Sequence, residues 1–141
     1  MASYVKFQPF VENQLISGID WNADTFKIGL TNVLPTAATD DYYNDITQIS
    51  TGNGYADGGT ATAITVTRSG GTAKVVGTDV VFTAAGGTIG PFQYAVLYKS
   101  TGVASTSPLI SYWAYTGAVT LNSGETFTVD FDATNGIFQM T

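Results

Sequence analysis

The chain has 141 residues, 44% of them hydrophobic and only 11% charged, and its 11 acidic and 5 basic side chains give a net charge of −6. This length fits one domain with its own core. Because the sequence contains neither cysteine nor histidine, it excludes a Ser-His-Asp triad, a Cys-His pair, a thiolate zinc site and a disulfide. The scarcity of basic residues argues against nucleic acid as a direct partner, and no apolar run approaches the ~18 residues of a membrane span.

The N-terminal segment, residues 1–20, predicts a short helix over residues 9–17. Pro9 suits the first turn of that helix, and Gly18 suits its C-terminal cap. So short a helix is not stable by propensity alone, so its apolar side must dock on something. We therefore expect a docking segment here. Its candidate contact residues are Tyr4, Phe7, Phe10, Val11 and Leu15.

A strand with two-residue periodicity follows at Phe26, Ile28 and Leu30, and then a long irregular stretch over residues 33–60. Loops longer than about 12–15 residues are usually functional or disordered. Large apolar side chains in this stretch argue against disorder. We expect an arm that is ordered, or that becomes ordered on contact. Its candidate contact residues are Tyr42, Tyr43 and Tyr55.

The rest of the chain predicts closely spaced strands separated by glycine-rich turns. Residues 90–99 carry apolar side chains on both faces, which is typical of a central strand or of one that covers a partner. Asn122-Ser123-Gly124 predicts a hairpin turn. Eight or nine strands of this kind predict an all-β antiparallel sandwich, with the jelly roll as the expected form. The predicted strands cover residues 61–68, 72–76, 79–83, 90–99, 108–115, 118–121, 125–132 and 136–140.

Three kinds of site can be weighed against ordinary structural roles. Asp130 and Asp132 could act as paired carboxylates, but they also fit the solvated face of an amphipathic strand. The acids of residues 40–45 could bind calcium, but their spacing is not that of an EF-hand loop. Exposed aromatic residues such as Trp113 could form a carbohydrate platform, although aromatic residues in strands more often belong to a core or an interface. No glycine-rich stretch matches a phosphate-binding loop. We therefore predict no enzymatic activity, no cofactor, no metal and no small-molecule substrate.

Four runs of the sequence together resemble small structural proteins of tailed bacteriophages. They are FQPFVEN at residues 7–13, DTFKIGLTN at 24–32, GGTIGPFQYAVLY at 86–98 and GETFTVDF at 124–131. The resemblance is to capsid decoration, or cement, proteins with a jelly-roll-like sandwich, and it spans nearly the whole chain. It implies no catalytic residues. It implies a protein that lies on the outer surface of the phage head and bridges neighbouring major capsid proteins.

This resemblance sets the expected partners and location. The expected partners are the major capsid protein and further copies of the chain itself, as a dimer or trimer on the capsid surface. The expected location is the virion, after assembly in the host cytoplasm, with no signal peptide. Two alternatives stay open: a structural module of the phage tail or fibre, and a carbohydrate-binding β-sandwich.

Overall fold

A computed structural model describes residues 2–141, and it confirms an all-β antiparallel sandwich with one short helix. In chain order the elements are β1 (Ser3–Lys6), α1 (Pro9–Ile16), β2 (Thr25–Thr31), a one-turn 3₁₀ helix (Tyr43–Asp45), β3 (Thr60–Thr62), β4 (Ile64–Ser69), β5 (Thr72–Gly77), β6 (Val80–Thr83), β7 (Ile89–Ser100), a second 3₁₀ turn (Ala104–Thr106), β8 (Leu109–Leu121), β9 (Thr126–Val129) and β10 (Phe138–Met140).

A five-stranded sheet in the order β1-β8-β7-β2-β3 forms the middle of the molecule. Its central strand β7 pairs with β2 and β8, and Leu97 lies opposite Ile28 on one side and Ser111 on the other. Both faces of β7 are buried: Leu97 on one face is fully enclosed, and so is Val96 on the other. The sequence prediction of a strand that is apolar on both faces is confirmed.

Two small sheets, β10-β5-β4 and β6-β9, cover one face of the large sheet. On β8 of the large sheet, Trp113 packs edge-on against Phe131, with their ring centroids 5.3 Å apart. At the other end of the face, Trp21 stacks on Phe26 of β2 at 4.5 Å and also contacts Phe138 of β10. These contacts join the three sheets around one hydrophobic core.

The opposite face of the large sheet is covered by Phe7 and by part of residues 33–60, a segment that we call the arm. Phe7 packs on Tyr112 with ring centroids 5.3 Å apart, and Tyr43 stacks on Tyr98 at 3.9 Å. The sheet is therefore buried on both faces, as is usual for strands that are apolar on both sides. The arm is ordered but irregular, apart from its single 3₁₀ turn.

The helix prediction is confirmed, since α1 begins at Pro9 and Gly18 follows it with a φ of +60°. The fold of the chain itself does not cover all of the apolar side chains of the helix. Its buried side chains are Phe10 and Asn13, whereas Val11 and Leu15 point outward with 53% and 82% of their surface exposed. The burial of Asn13 is tolerated because its side-chain amide donates to the Asp41 carboxylate in the arm.

The predicted jelly roll is not confirmed. Within the described residues the strands divide into sheets of five, three and two, and not into the two sheets of an eight-stranded roll. Two of the predicted strands, at residues 108–115 and 118–121, are in fact the single strand β8 of 13 residues. β8 continues through Gly117 because β7 pairs with it on both sides of that point, with bulges that absorb the change of register.

Candidate functional site

The predicted contact residues separate into a buried group and an exposed group. Phe7, Phe10, Tyr43 and Tyr55 are at most 6% exposed and belong to the core of the chain itself. Their apolar surface is already covered by aromatic partners within the fold, so they have none left to offer another molecule. We therefore revise their assignment from partner contacts to core residues. Tyr42 is half-buried and stays available at its outer side.

The exposed group lies in the N-terminal segment. Tyr4 is 40% exposed, and Val11 and Leu15 lie on the outer side of α1 beside Ile16, which is 71% exposed. We call Val11, Leu15 and Ile16 the helix surface. Sequence reasoning missed Ile16, the last residue of the same eight-residue helix. An outward-facing row of branched apolar side chains is unusual on a soluble monomer.

The arm is held together by side-chain hydrogen bonds that converge on Gln48. Its Oε1 atom accepts from the hydroxyls of Tyr43 and Tyr55 at 3.3 and 3.2 Å, and from the amide of Gly58 at 3.0 Å. Its amide nitrogen donates to the Asp57 carboxylate. The Tyr55 hydroxyl in turn accepts from the amide of Leu30 at 3.0 Å, beyond the point where β2 pairs with β3.

We expect Gln48→Ala to lower the free energy of unfolding by about 2–4 kcal/mol, because it leaves two buried tyrosine hydroxyls without their acceptor. Chemical denaturation measures this loss. Gln139→Ala is the matched control, since Gln139 is exposed on β10 and its amide makes one bond to the Asn135 carbonyl; its effect should stay within about 0.5 kcal/mol. Equal losses in the two variants would show that the Gln48 bonds do not hold the arm.

A half-open cleft lies at the β1 edge of the sandwich, between the large sheet and the chain that follows β9. Its volume is about 650 Å³. Tyr4, Trp113 and Tyr115 line it from the large sheet, and Asp130 and Phe131 line it from the opposite side. We call this the edge cleft. Trp113 is held in place by edge-on contacts with Tyr4 and Phe131, at 5.5 and 5.3 Å.

The predicted carboxylate pair lies at this cleft, with both acids exposed to solvent. The Asp132 carboxylate accepts hydrogen bonds from the backbone of Asn135 and Thr134 and from the Asn135 side chain. These bonds lower the pKa of Asp132 below its usual value, and the bonds from Asn135 contribute most. Asp132 therefore stays ionised and accepts hydrogen bonds, which is the opposite of what a general acid needs.

The acids weighed as calcium ligands are used separately in the structure of the arm. Asp40 accepts from the amide of Thr36 at 2.7 Å, and Asp45 accepts from the amides of Asp41 and Tyr42 at 2.9 and 3.2 Å. Among residues 2–141, no three acidic side chains lie close enough together to hold a metal ion.

Comparison with protein-family models, curated proteins and solved structures finds no match. In the described part of the chain, no helix is long and apolar enough to cross a membrane.

Proposed function

We propose that this chain is a virion structural protein, a capsid decoration protein that binds the outer surface of a phage head and bridges neighbouring major capsid proteins. The observation that carries the proposal is the helix surface. Val11, Leu15 and Ile16 are 53%, 82% and 71% exposed, and none of them belongs to the core of the chain. Because these side chains are not packed within the fold, contact with a partner explains their presence on the surface.

The composition of the surface supports an assembly role. Interface cores are depleted in charged side chains and enriched in apolar and aromatic ones, and this chain carries only 11% charged residues. In a lattice such a surface is covered, whereas on a free monomer it invites aggregation. The net charge of −6 suits the outside of a shell, away from packaged nucleic acid.

The mechanism of stabilisation is thermodynamic. A protein that binds only the mature lattice stabilises it by mass action. Many copies acting together give multivalent resistance without any single strong contact. Copies bound to the same lattice can also contact one another across a symmetry axis and form a dimer or a trimer. Homo-oligomers are usually closed by symmetry in this way.

The test is cryo-electron microscopy of the virion whose genome encodes this chain. Density for the sandwich on the outer head surface, with α1 against a capsid protein, is the expected result. Density in the tail would replace the proposal with the tail or fibre alternative. Absence from the particle would overturn both.

A point variant tests the helix surface directly. Leu15→Lys keeps a good helix former but places a charge where an apolar contact is proposed, so we expect occupancy on stripped heads to fall about tenfold or more, equivalent to about 1.4 kcal/mol. The matched control is Val103→Lys, which makes the same charge change at an exposed apolar residue elsewhere (56% exposed). Sedimentation of heads with bound protein gives the occupancy. Equal binding by both variants would exclude the helix surface as the contact.

A further inference from the structure

The edge cleft has the composition of a ligand site and lies apart from the helix surface. A volume of about 650 Å³ falls within the range of small-molecule sites, about 300–1,000 Å³. Such sites combine apolar and aromatic walls with a few well-placed polar groups. Here the buried side chains of Val129, Phe131 and Ile137 form the base, and more exposed aromatic and acidic side chains form the rim.

The aromatic side chains of the cleft are held in position before any ligand arrives. Trp113 stands between Tyr4 and Phe131, with centroid distances of 5.5 and 5.3 Å and ring planes inclined at 65° and 70°. Tyr115 is fixed in the same way by Phe127, at 5.0 Å and 79°. Rings held by their neighbours lose little conformational entropy on binding, which favours affinity.

Several residues that line the cleft have polar side-chain atoms with no hydrogen-bond partner in the fold. Among the side-chain hydrogen bonds of residues 2–141, none uses the indole nitrogen of Trp113, the hydroxyl of Tyr115 or Thr128, or the carboxylate of Asp130. The Tyr115 hydroxyl is protonated at neutral pH and can donate a hydrogen bond, and burial raises its pKa further, to about 12. The cleft therefore offers both donors and acceptors around an apolar base.

The charge of the cleft limits what it can bind. Its lining includes two carboxylates, Asp130 and Asp132, and no lysine or arginine. An anionic ligand would be repelled, and a purely apolar one would leave the rim groups without partners. A neutral sugar is not repelled by the carboxylates, and it can pair with the polar groups of the rim. Its C–H face packs on aromatic rings, while its hydroxyls donate to carboxylates and accept from phenol and indole groups.

We propose that the edge cleft is a binding site for a neutral oligosaccharide or polysaccharide, with Trp113 as the stacking platform and Asp130 as the hydroxyl acceptor. The site is a binding site only. It does not depend on the capsid proposal, since none of the helix surface residues lines it.

The test is calorimetric titration of the full chain with maltohexaose, cellohexaose and mannohexaose, with oligogalacturonate as the anionic comparison. We expect at least one neutral oligosaccharide to bind, and Asp130→Ala and Trp113→Ala each to weaken that binding about tenfold or more. Tyr42→Ala is the matched control, because it removes a half-exposed aromatic side chain outside the cleft and should leave the affinity unchanged.

Trp113 also packs in the fold, so Asp130→Ala and Tyr115→Phe decide the result if Trp113→Ala is unstable. Asp130 is exposed and Tyr115→Phe removes one oxygen atom, so both variants should fold normally. The proposal is overturned if no neutral oligosaccharide binds at millimolar concentration, if oligogalacturonate binds as well as the neutral ones, or if Asp130→Ala and Tyr115→Phe both bind normally. It is also overturned if these variants change only the oligomeric state, which would assign the cleft to a second copy of the chain.

Discussion

Gly59→Ala is expected to unfold the protein or to lower its free energy of unfolding by more than about 4 kcal/mol, a loss that is exceptional for one substitution. Gly59 is the last residue of the arm before β3 and has a φ of +81°. A Cβ atom there would overlap the carbonyl oxygen of Ile28 in β2. That oxygen belongs to the backbone of the large sheet, so it cannot move aside as a flexible side chain can.

The matched control for this prediction is Gly86→Ala. Gly86 has nearly the same φ, +78°, but a Cβ atom there would meet nothing within 4 Å. It should cost only the strain of the left-handed conformation, about 1–2 kcal/mol. The two losses of unfolding free energy are measured by urea denaturation. The difference between them then gives the cost of the clash between the arm and β2. Similar losses at both positions would mean that the arm can shift away from the sheet at little cost.

The elements that the sequence predicted well are those whose signal is local. The alternation in β2 and the two-sided apolar pattern of β7 could be read directly, because side chains on a strand alternate between faces. Pro9 and Gly18 likewise marked the ends of α1. Such signals identify an element, but they do not say what covers it.

The errors of prediction arose where the answer depends on distant parts of the chain. Phe10 and Val11 are adjacent apolar residues on α1, and only the packing of Phe10 on Trp21 and Phe138 decides which one is buried. In the arm, Tyr43 was predicted as a partner contact, yet its ring fills the space above Gly29, where any side chain would collide with it. The absence of a side chain at Gly29 was the only sequence signal for this packing.

The edge cleft could not have been predicted from local pattern. Trp113 lies on β8 and Asp130 directly follows β9, and the sequence gives no information on how these two parts of the chain are placed across the sandwich. The sequence did identify Trp113 and Asp130 separately, as an aromatic platform residue and as one of two paired carboxylates. The sequence did not show that these two residues line the same cleft.

Stability should fall steeply at alkaline pH because two stacked tyrosines are buried in their neutral form. Burial raises the pKa of Tyr98 well above its ordinary value of 10.0, and burial together with the neighbouring Tyr55 does the same for Tyr43. Below pH 10 both states of the chain carry protonated tyrosines, and nothing is lost. Above pH 10 the unfolded chain releases these protons while the folded chain keeps them, so each tyrosine lowers the free energy of unfolding by about 1.4 kcal/mol per pH unit.

Urea denaturation across the alkaline range measures this slope. Tyr98→Phe separates the contribution of one ring. At neutral pH it costs about 1 kcal/mol, because the bond from its hydroxyl to the Gly58 carbonyl, 2.6 Å long, is lost. Above pH 10 it should reduce the slope by about 1.4 kcal/mol per pH unit, so the variant and the wild type converge in stability. Parallel slopes in the two proteins would show that Tyr98 ionises within the folded state, and thus that the arm opens without global unfolding.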